Sequence, residues 1–193
     1  MGYLITSPLR KLAENPSKIL SPMVEPGMVV MDVGSAMGFF SLPLARMVGP
    51  TGRVVCLDVQ PRMLSVLDRR ARRRNLEQII ETRACTQHDL GTEDLVGAVD
   101  LTLAVHVVHE SAYPRRFLSQ IRDVLCPGGQ LVVIEPKGHV SPSEFEATRG
   151  LCREIGLVER GMEWFRSSHA MRLEKPRVDG GRGGVESGGV ATD

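Results

Sequence analysis

The stretch Val29-Val30-Met31-Asp32-Val33-Gly34-Ser35-Ala36-Met37-Gly38-Phe39-Phe40 constrains the fold more than any other part of this 193-residue chain. It begins as an apolar run rich in β-branched residues, the composition of a strand covered on both faces. It then breaks into a loop with glycine at 34 and 38 and alanine at 36. Beyond the loop Phe39, Phe40, Leu42, Leu44, Ala45 and Val48 recur at helical spacing. Strand, small-residue loop and helix together suit a polar or anionic ligand. Small residues admit a close backbone approach, and the helix N-terminus presents unpaired N–H groups at its positive dipole end. About twenty residues further on, Arg53-Val54-Val55-Cys56-Leu57 reads as a second strand ending at Asp58, whose carboxylate is suited to accept from both hydroxyls of a ribose. The expectation is a nucleoside-containing cofactor at the carboxyl end of a parallel sheet.

A dinucleotide fingerprint starting at Gly34 needs glycine at 39, and that position is Phe39. The spacing is instead G-x-A-x-G behind an acid, Asp32. An acid there disfavours a pyrophosphate and suits an ammonium group. A ligand with an ammonium, a carboxylate and a ribose is S-adenosylmethionine. On these residues, and on LDVQPRML after the second strand, VDLTLAVHVVHE at the fourth and LCPGGQLVVIEP at the fifth, the chain resembles the class I S-adenosylmethionine-dependent methyltransferases. The similarity is nearest to the small-molecule enzymes of the ubiquinone/menaquinone-biosynthesis branch, and it runs from about Pro26 to Lys175. It implies an α/β, Rossmann-like fold: a seven-stranded, mostly parallel sheet with helices on both faces and an antiparallel β6–β7 hairpin. It also implies a domain spanning 26–175, preceded by a helical lid segment over 1–25 and followed by a glycine-rich tail over 176–193. That tail cannot bury enough apolar area to offset its ordering entropy and is expected to be disordered.

The formal net charge of +1 gives no reason for bulk attraction to nucleic acid or membrane. No apolar stretch has the length of a membrane span, and the N-terminus lacks the pattern of a signal peptide. The four cysteines (56, 85, 126 and 152) include no C-x-x-C pair, which suits free thiols in a reducing cytoplasm. Asn15 and Pro16 are read as the cap and first position of an N-terminal helix carrying Ile19, Leu20 and Met23 on one face. Pro61 opens a helix to about Arg74, with Met63, Leu64, Leu67 and Ala71 inward and Arg69, Arg70, Arg72, Arg73 and Arg74 outward. No aromatic residue interleaves with these arginines, so a solvated helix end is favoured over a nucleic-acid patch. Strands are expected at 78–83, 99–104 and 130–135, the last entered through a turn at Pro127-Gly128-Gly129. Helices are expected from Tyr113 to Leu125 and, behind a capping box at Ser141-Pro142-Ser143-Glu144, to about Ile155. Two β runs, Leu157–Trp164 and Ser167–Leu173, are left for the hairpin.

The resemblance assigns the methionine end of the cofactor to Asp32, Gly34, Ser35, Ala36, Met37, Gly38 and Phe39. Ala36 replaces the usual middle glycine, and its methyl is tolerated if φ is negative there. Asp58, Val59, Gln60 and Met63 would meet ribose and adenine, with core packing an equal alternative for Met63. The loop acid that the family uses near the adenine amino group is replaced here by Cys85, so backbone groups around Cys85 and Thr86, or the Gln87 amide, are expected to serve. Val105 closes the cofactor set. His106 and His109, beyond the fourth strand, are the catalytic candidates, as a residue near the transferred methyl and a base with a near-neutral pKa. Structural, solvent-lining histidines are the plain alternative. H-V-V-H-E has no zinc-binding spacing, and no metal is expected. Glu135, Lys137 and His139 are secondary pocket candidates, with surface placement favoured for each.

The expected activity moves a methyl group from S-adenosylmethionine to O, N, S or C of a small acceptor, leaving S-adenosylhomocysteine. Neither nucleic acid nor membrane is an expected partner, and homodimerisation is left open. Two rivals stand beside this reading: a non-catalytic S-adenosylmethionine-binding module, and a nicotinamide oxidoreductase. Phe39 and the lack of a Y-x-x-x-K pair at Tyr113 disfavour the second.

Overall fold

The computed structural model describes residues 16–161 and 168–177. Strands β1 (Val29–Val33), β2 (Arg53–Asp58), β3 (Ile80–Ala84), β4 (Val99–Val105), β5 (Leu125–Pro136), β6 (Val158–Glu159) and β7 (Ser168–Glu174) form one sheet in the order β3-β2-β1-β4-β5-β7-β6. β1 to β5 run parallel, and β7 lies antiparallel to both β5 and β6. The helices are α1 (Pro16–Leu20), α2 (Ser41–Val48), α3 (Pro61–Arg72), α4 (Pro114–Val124) and α5 (Pro142–Glu154). This is the mostly parallel, Rossmann-like architecture with an antiparallel closing hairpin that the motifs imply.

Strand parity divides the core into two layers, as the two-residue period of a strand requires. Met31, Val33, Val55, Leu57, Leu131 and Val133 pack with Phe117, Leu118 and Ile121 of α4 and with Phe145 of α5. On the other face Val30, Val54, Cys56, Leu103, Val132 and Ile134 meet Ile19 and Leu20 of α1, Leu44 and Val48 of α2, and Leu67 of α3. The strands are therefore covered on both sides, which is why they read as continuous apolar runs.

Several boundaries differ from the sequence reading. Phe39 and Phe40 lie in a turn, α2 begins only at Ser41, and Phe39 is exposed rather than inward. Pro127-Gly128-Gly129 is absorbed into β5 as an excursion: Leu125 pairs with Val99 and Gln130 with Leu101. A Cβ on Gly129 would stand 2.8 Å from the Val99 carbonyl oxygen, so the residue's smallness is what admits the neighbouring backbone. Ser141 and Glu144 close the anticipated capping box on α5. The hairpin is shorter than expected on its β6 side. Asn15, Trp164, Ser167, residues 1–15 of the lid segment and all but Pro176 and Arg177 of the tail lie outside the described residues.

Candidate cofactor and active site

The order of the sheet reverses between β1 and β4, and chains leave those strands toward opposite faces. A crevice opens where they diverge. A cavity of about 290 Å³ lies there. Its walls come from the carboxyl ends of four strands: Val33, Gly34 and Ala36 after β1, Asp58 to Gln60 after β2, Cys85 to Gln87 after β3, and Val105 to Val107 after β4. Leu90, Glu110, Ser111 and Phe117 complete it.

Asp58 organises one side. It is 6% exposed, yet both oxygens are engaged: Oδ2 accepts the Ala36 N–H at 2.9 Å and Oδ1 the Gln60 N–H at 2.8 Å. One carboxylate thus ties the β1 loop to the start of α3 while keeping lone pairs for a ligand. The tie also explains the backbone at Ala36. Its φ is +46°, so the expectation of a negative angle is corrected. The carbonyl of Leu57 accepts from Gly34 and Ser35 N–H, and with the Asp58 bond these fix three consecutive amides of the loop. That anchoring outweighs the strain of a left-handed alanine. Gly34 has φ +75°, and a Cβ there would come within 3.1 Å of Val107 Cγ2. Glycine at this point leaves the cavity open.

Other loop residues turn elsewhere. Asp32 does not line the cavity. It shares strand parity with Val30, so its carboxylate enters the layer beneath α2 and accepts from Ser41 Oγ at 2.5 Å. Burial raises its pKa to about 6, Ser41 opposes this, and the neighbouring Asp58 charge adds to it. In this structure its partner is the Ser41 hydroxyl, through which it supports the loop from below. Gly38 packs on α3, where an added Cβ would sit 2.3 Å from Leu67 Cδ1. Met37 and Phe39 are exposed, Met63 is half-buried away from the lining, and the buried Ser35 Oγ has no partner among the described residues. Of the residues proposed from sequence, the structure gathers Gly34, Ala36, Asp58, Val59, Gln60, Cys85, Thr86, Val105 and His106 around one space.

Cys85 lines the β3 side of that space as a protonated thiol, pushed up to about 11 by burial and by the Asp58 charge. His106 adopts φ +55°, held by its N–H on the Ile134 carbonyl, and its buried Nε2 has no partner among the described residues. Burial, reinforced by His109 and His139, depresses its pKa to about 4, so the ring is neutral at physiological pH. His109 stands behind the wall in the 3₁₀ turn Val108–Glu110, with Nδ1 on Glu135. Glu135 is 1% exposed, which corrects its expected surface placement. Glu110, which the sequence places with His106 at the mouth after β4, lines the cavity; sequence reasoning missed Val107, Ser111 and Phe117, which the turn after β4 and the packing of α4 bring there. Among the described residues no cluster of three His, Cys, Asp or Glu is arranged to hold a metal, and no helix is long and apolar enough to cross a membrane.

The small-residue cradle of Gly34 and Ala36 and the buried Asp58 carboxylate with spare lone pairs fit a nucleoside carrying a polar tail. Comparison with known proteins agrees. The family model described as a methyltransferase domain matches residues 24–171. The ribosomal RNA large subunit methyltransferase E of Stutzerimonas stutzeri is 30% identical over 169 residues, covering 73% of this chain and 78% of the relative. An uncharacterised 37.1 kDa protein in a transposon of Streptomyces fradiae is 35% identical over 133 residues, which is 67% of this chain and 37% of that protein. This chain thus spans little more than a third of the Streptomyces relative. In structure it is similar to an S-adenosylmethionine-dependent methyltransferase from Aquifex aeolicus, with TM-score 0.74 and 23% identity over 89% of this chain and 99% of the other. With its motifs, strand order and family match in agreement, the chain belongs to the methyltransferase domain family, the class I S-adenosylmethionine-dependent methyltransferases.

Proposed function

We propose that this protein transfers the methyl group of S-adenosylmethionine to a nucleophile on a small molecule. The observation that carries the reading is the single cavity faced by Asp58 from one strand end and by His106 from another. Bound there, the cofactor supplies an already activated methyl group on a sulfonium, so the protein's task is alignment and exclusion of water. In this reading Asp58 accepts from the ribose hydroxyls through its unused lone pairs, and Gly34, Ser35 and Ala36 cradle the aminoacyl end. The neutral His106 suits the neighbourhood of a cation, where an imidazolium would repel it. Cys85 and Thr86 flank the base, and Glu110, Ser111 and Phe117 form the wall nearest an acceptor.

A small acceptor is favoured because His106 lies in the wall of a recessed cleft, open to solvent on one side, rather than on an open face. A second reading, methylation of RNA, draws on the Stutzerimonas relative and on the exposed Arg62, Arg69 and Arg72 of α3, beside which the half-buried Arg70 donates to the Met37 carbonyl of the cofactor loop. The test is calorimetry with S-adenosylhomocysteine, followed by methyl-labelled S-adenosylmethionine offered to phenols, thiols, amines and ribosomal RNA. Heat of binding and label on a small molecule are expected. Label confined to RNA overturns the acceptor class, and no binding overturns the reading itself.

A further inference from the structure

Glu135 ends β5 beside the exit of β4 and is almost wholly dry. A carboxylate taken out of water persists only where its lone pairs find donors. Here Oε1 accepts the Val108 N–H at 2.9 Å and the His109 N–H at 3.3 Å, while Oε2 meets Nδ1 of His109. Those amides open the 3₁₀ turn Val108–Glu110, so Glu135 caps from a neighbouring strand a turn whose own preceding residue, Val107, has no capping side chain. We propose that Glu135 is a positioning residue that holds His109 with Nδ1 protonated and leaves its Nε2 lone pair free to accept a proton, in the turn whose neighbours Val107 and Glu110 line the cavity. The inference rests on the methyl-transfer reading for its chemical purpose.

The tautomer follows from the partners. An ionised carboxylate only accepts, so the ring nitrogen facing it is the donor and the lone pair belongs to Nε2. In transfer to a protonated nucleophile, the new bond to the methyl carbon forms as the carbon–sulfur bond of the sulfonium breaks. The nucleophile's proton passes to Nε2, and solvent takes it after release. Glu135 stabilises the transient imidazolium, as the orienting acid of a hydrolytic triad does. Burial raises the pKa of Glu135, and His109 with the two amides draws it back. The other titratable groups around His109 are His106, His139, whose ring centroid is 6.2 Å away, and Glu144. Burial lowers the proton affinity of His106. The His109 side chain is 23% exposed, so its ring is not sealed from an incoming molecule.

The experiment is a long-range ¹⁵N–¹H spectrum of the full chain labelled at histidine, at pH 7, with His109→Gln to identify the resonances. The Nδ1–H form is expected for His109. In Glu135→Gln the new amide can keep the two backbone bonds through its oxygen and donate its NH₂ to Nδ1, which should convert His109 to the Nε2–H form. A wild-type His109 already in the Nε2–H form, or a Glu135→Gln spectrum that retains Nδ1–H, overturns the proposal; the wild-type spectrum decides even if the variant fails to fold. With an acceptor from the panel, Glu135→Gln should lower kcat about 10²-fold at unchanged KM, and an unchanged kcat also overturns it. Loss of S-adenosylhomocysteine binding in wild type would count against the methyl-transfer reading instead, because the tautomer is read without any ligand.

Discussion

Two residues that carry a Cβ, Ala36 and His106, face the cavity from opposite walls with left-handed backbones. Such a conformation costs an L-residue about 1–2 kcal/mol. Ala36→Gly should therefore stabilise the protein by about 1 kcal/mol, or about 2–4 °C in Tm, and a lower melting temperature would refute the strain. Asp32 offers a pH test. Its folded pKa of about 6 exceeds the ordinary 3.8, so the native state holds the extra proton between those values. Its contribution to stability is fully present below pH 3.8 and is lost as pH rises through 6, a change of about 3 kcal/mol. Asp32→Asn, which keeps an acceptor for Ser41 Oγ, should gain on wild type as pH rises from 4 to 7. A difference that stays flat across that range in denaturant titrations would contradict the burial argument.

Among elements, the β1–α2 junction separates packing from binding. Gly38→Ala drives a methyl into Leu67 from a left-handed position and should cost about 1–3 kcal/mol, yet leave S-adenosylhomocysteine affinity within a few-fold, since Gly38 lines no part of the cavity. Affinity lost in proportion to stability would show the two roles to be one. The elements were largely legible beforehand because each strand carries its own apolar run and each helix its own punctuation: Pro61, Ser141 with Glu144, and Gly156. The half of the candidate site lying on those punctuated junctions, Gly34, Asp58 and His106, was legible for the same reason. What escaped were facts of register and parity between distant segments. Asp32 turns beneath α2 because Val30 does, and Glu135 is buried because β5 sets it beside the turn after β4. Neither is written in the local pattern. The φ of Ala36 escaped too, since it is imposed by hydrogen bonds to Asp58 and Leu57, each across a strand pair.

At the scale of the molecule, parallel strands converge on one crevice while β7 and β6 close the far edge, so ligand binding should be felt by the whole domain. S-adenosylhomocysteine at a hundred times its Kd should add about 2.7 kcal/mol to unfolding. Asp58→Asn should lose that gain and also melt lower without ligand, because it leaves the Ala36 or the Gln60 amide without its charged acceptor, at about 1–3 kcal/mol. An Asp58→Asn protein with wild-type melting in both states would remove the carboxylate from either role. The double anchoring of Asp58 also makes the site stereochemically unforgiving. A carboxylate clamped at both oxygens cannot swing to follow a sugar of altered shape, so a 2′-deoxy analogue of the cofactor product forfeits its bond without compensation. It should bind roughly ten- to a hundred-fold more weakly, and the discrimination of ribose from deoxyribose would then reside in the fold's own scaffolding.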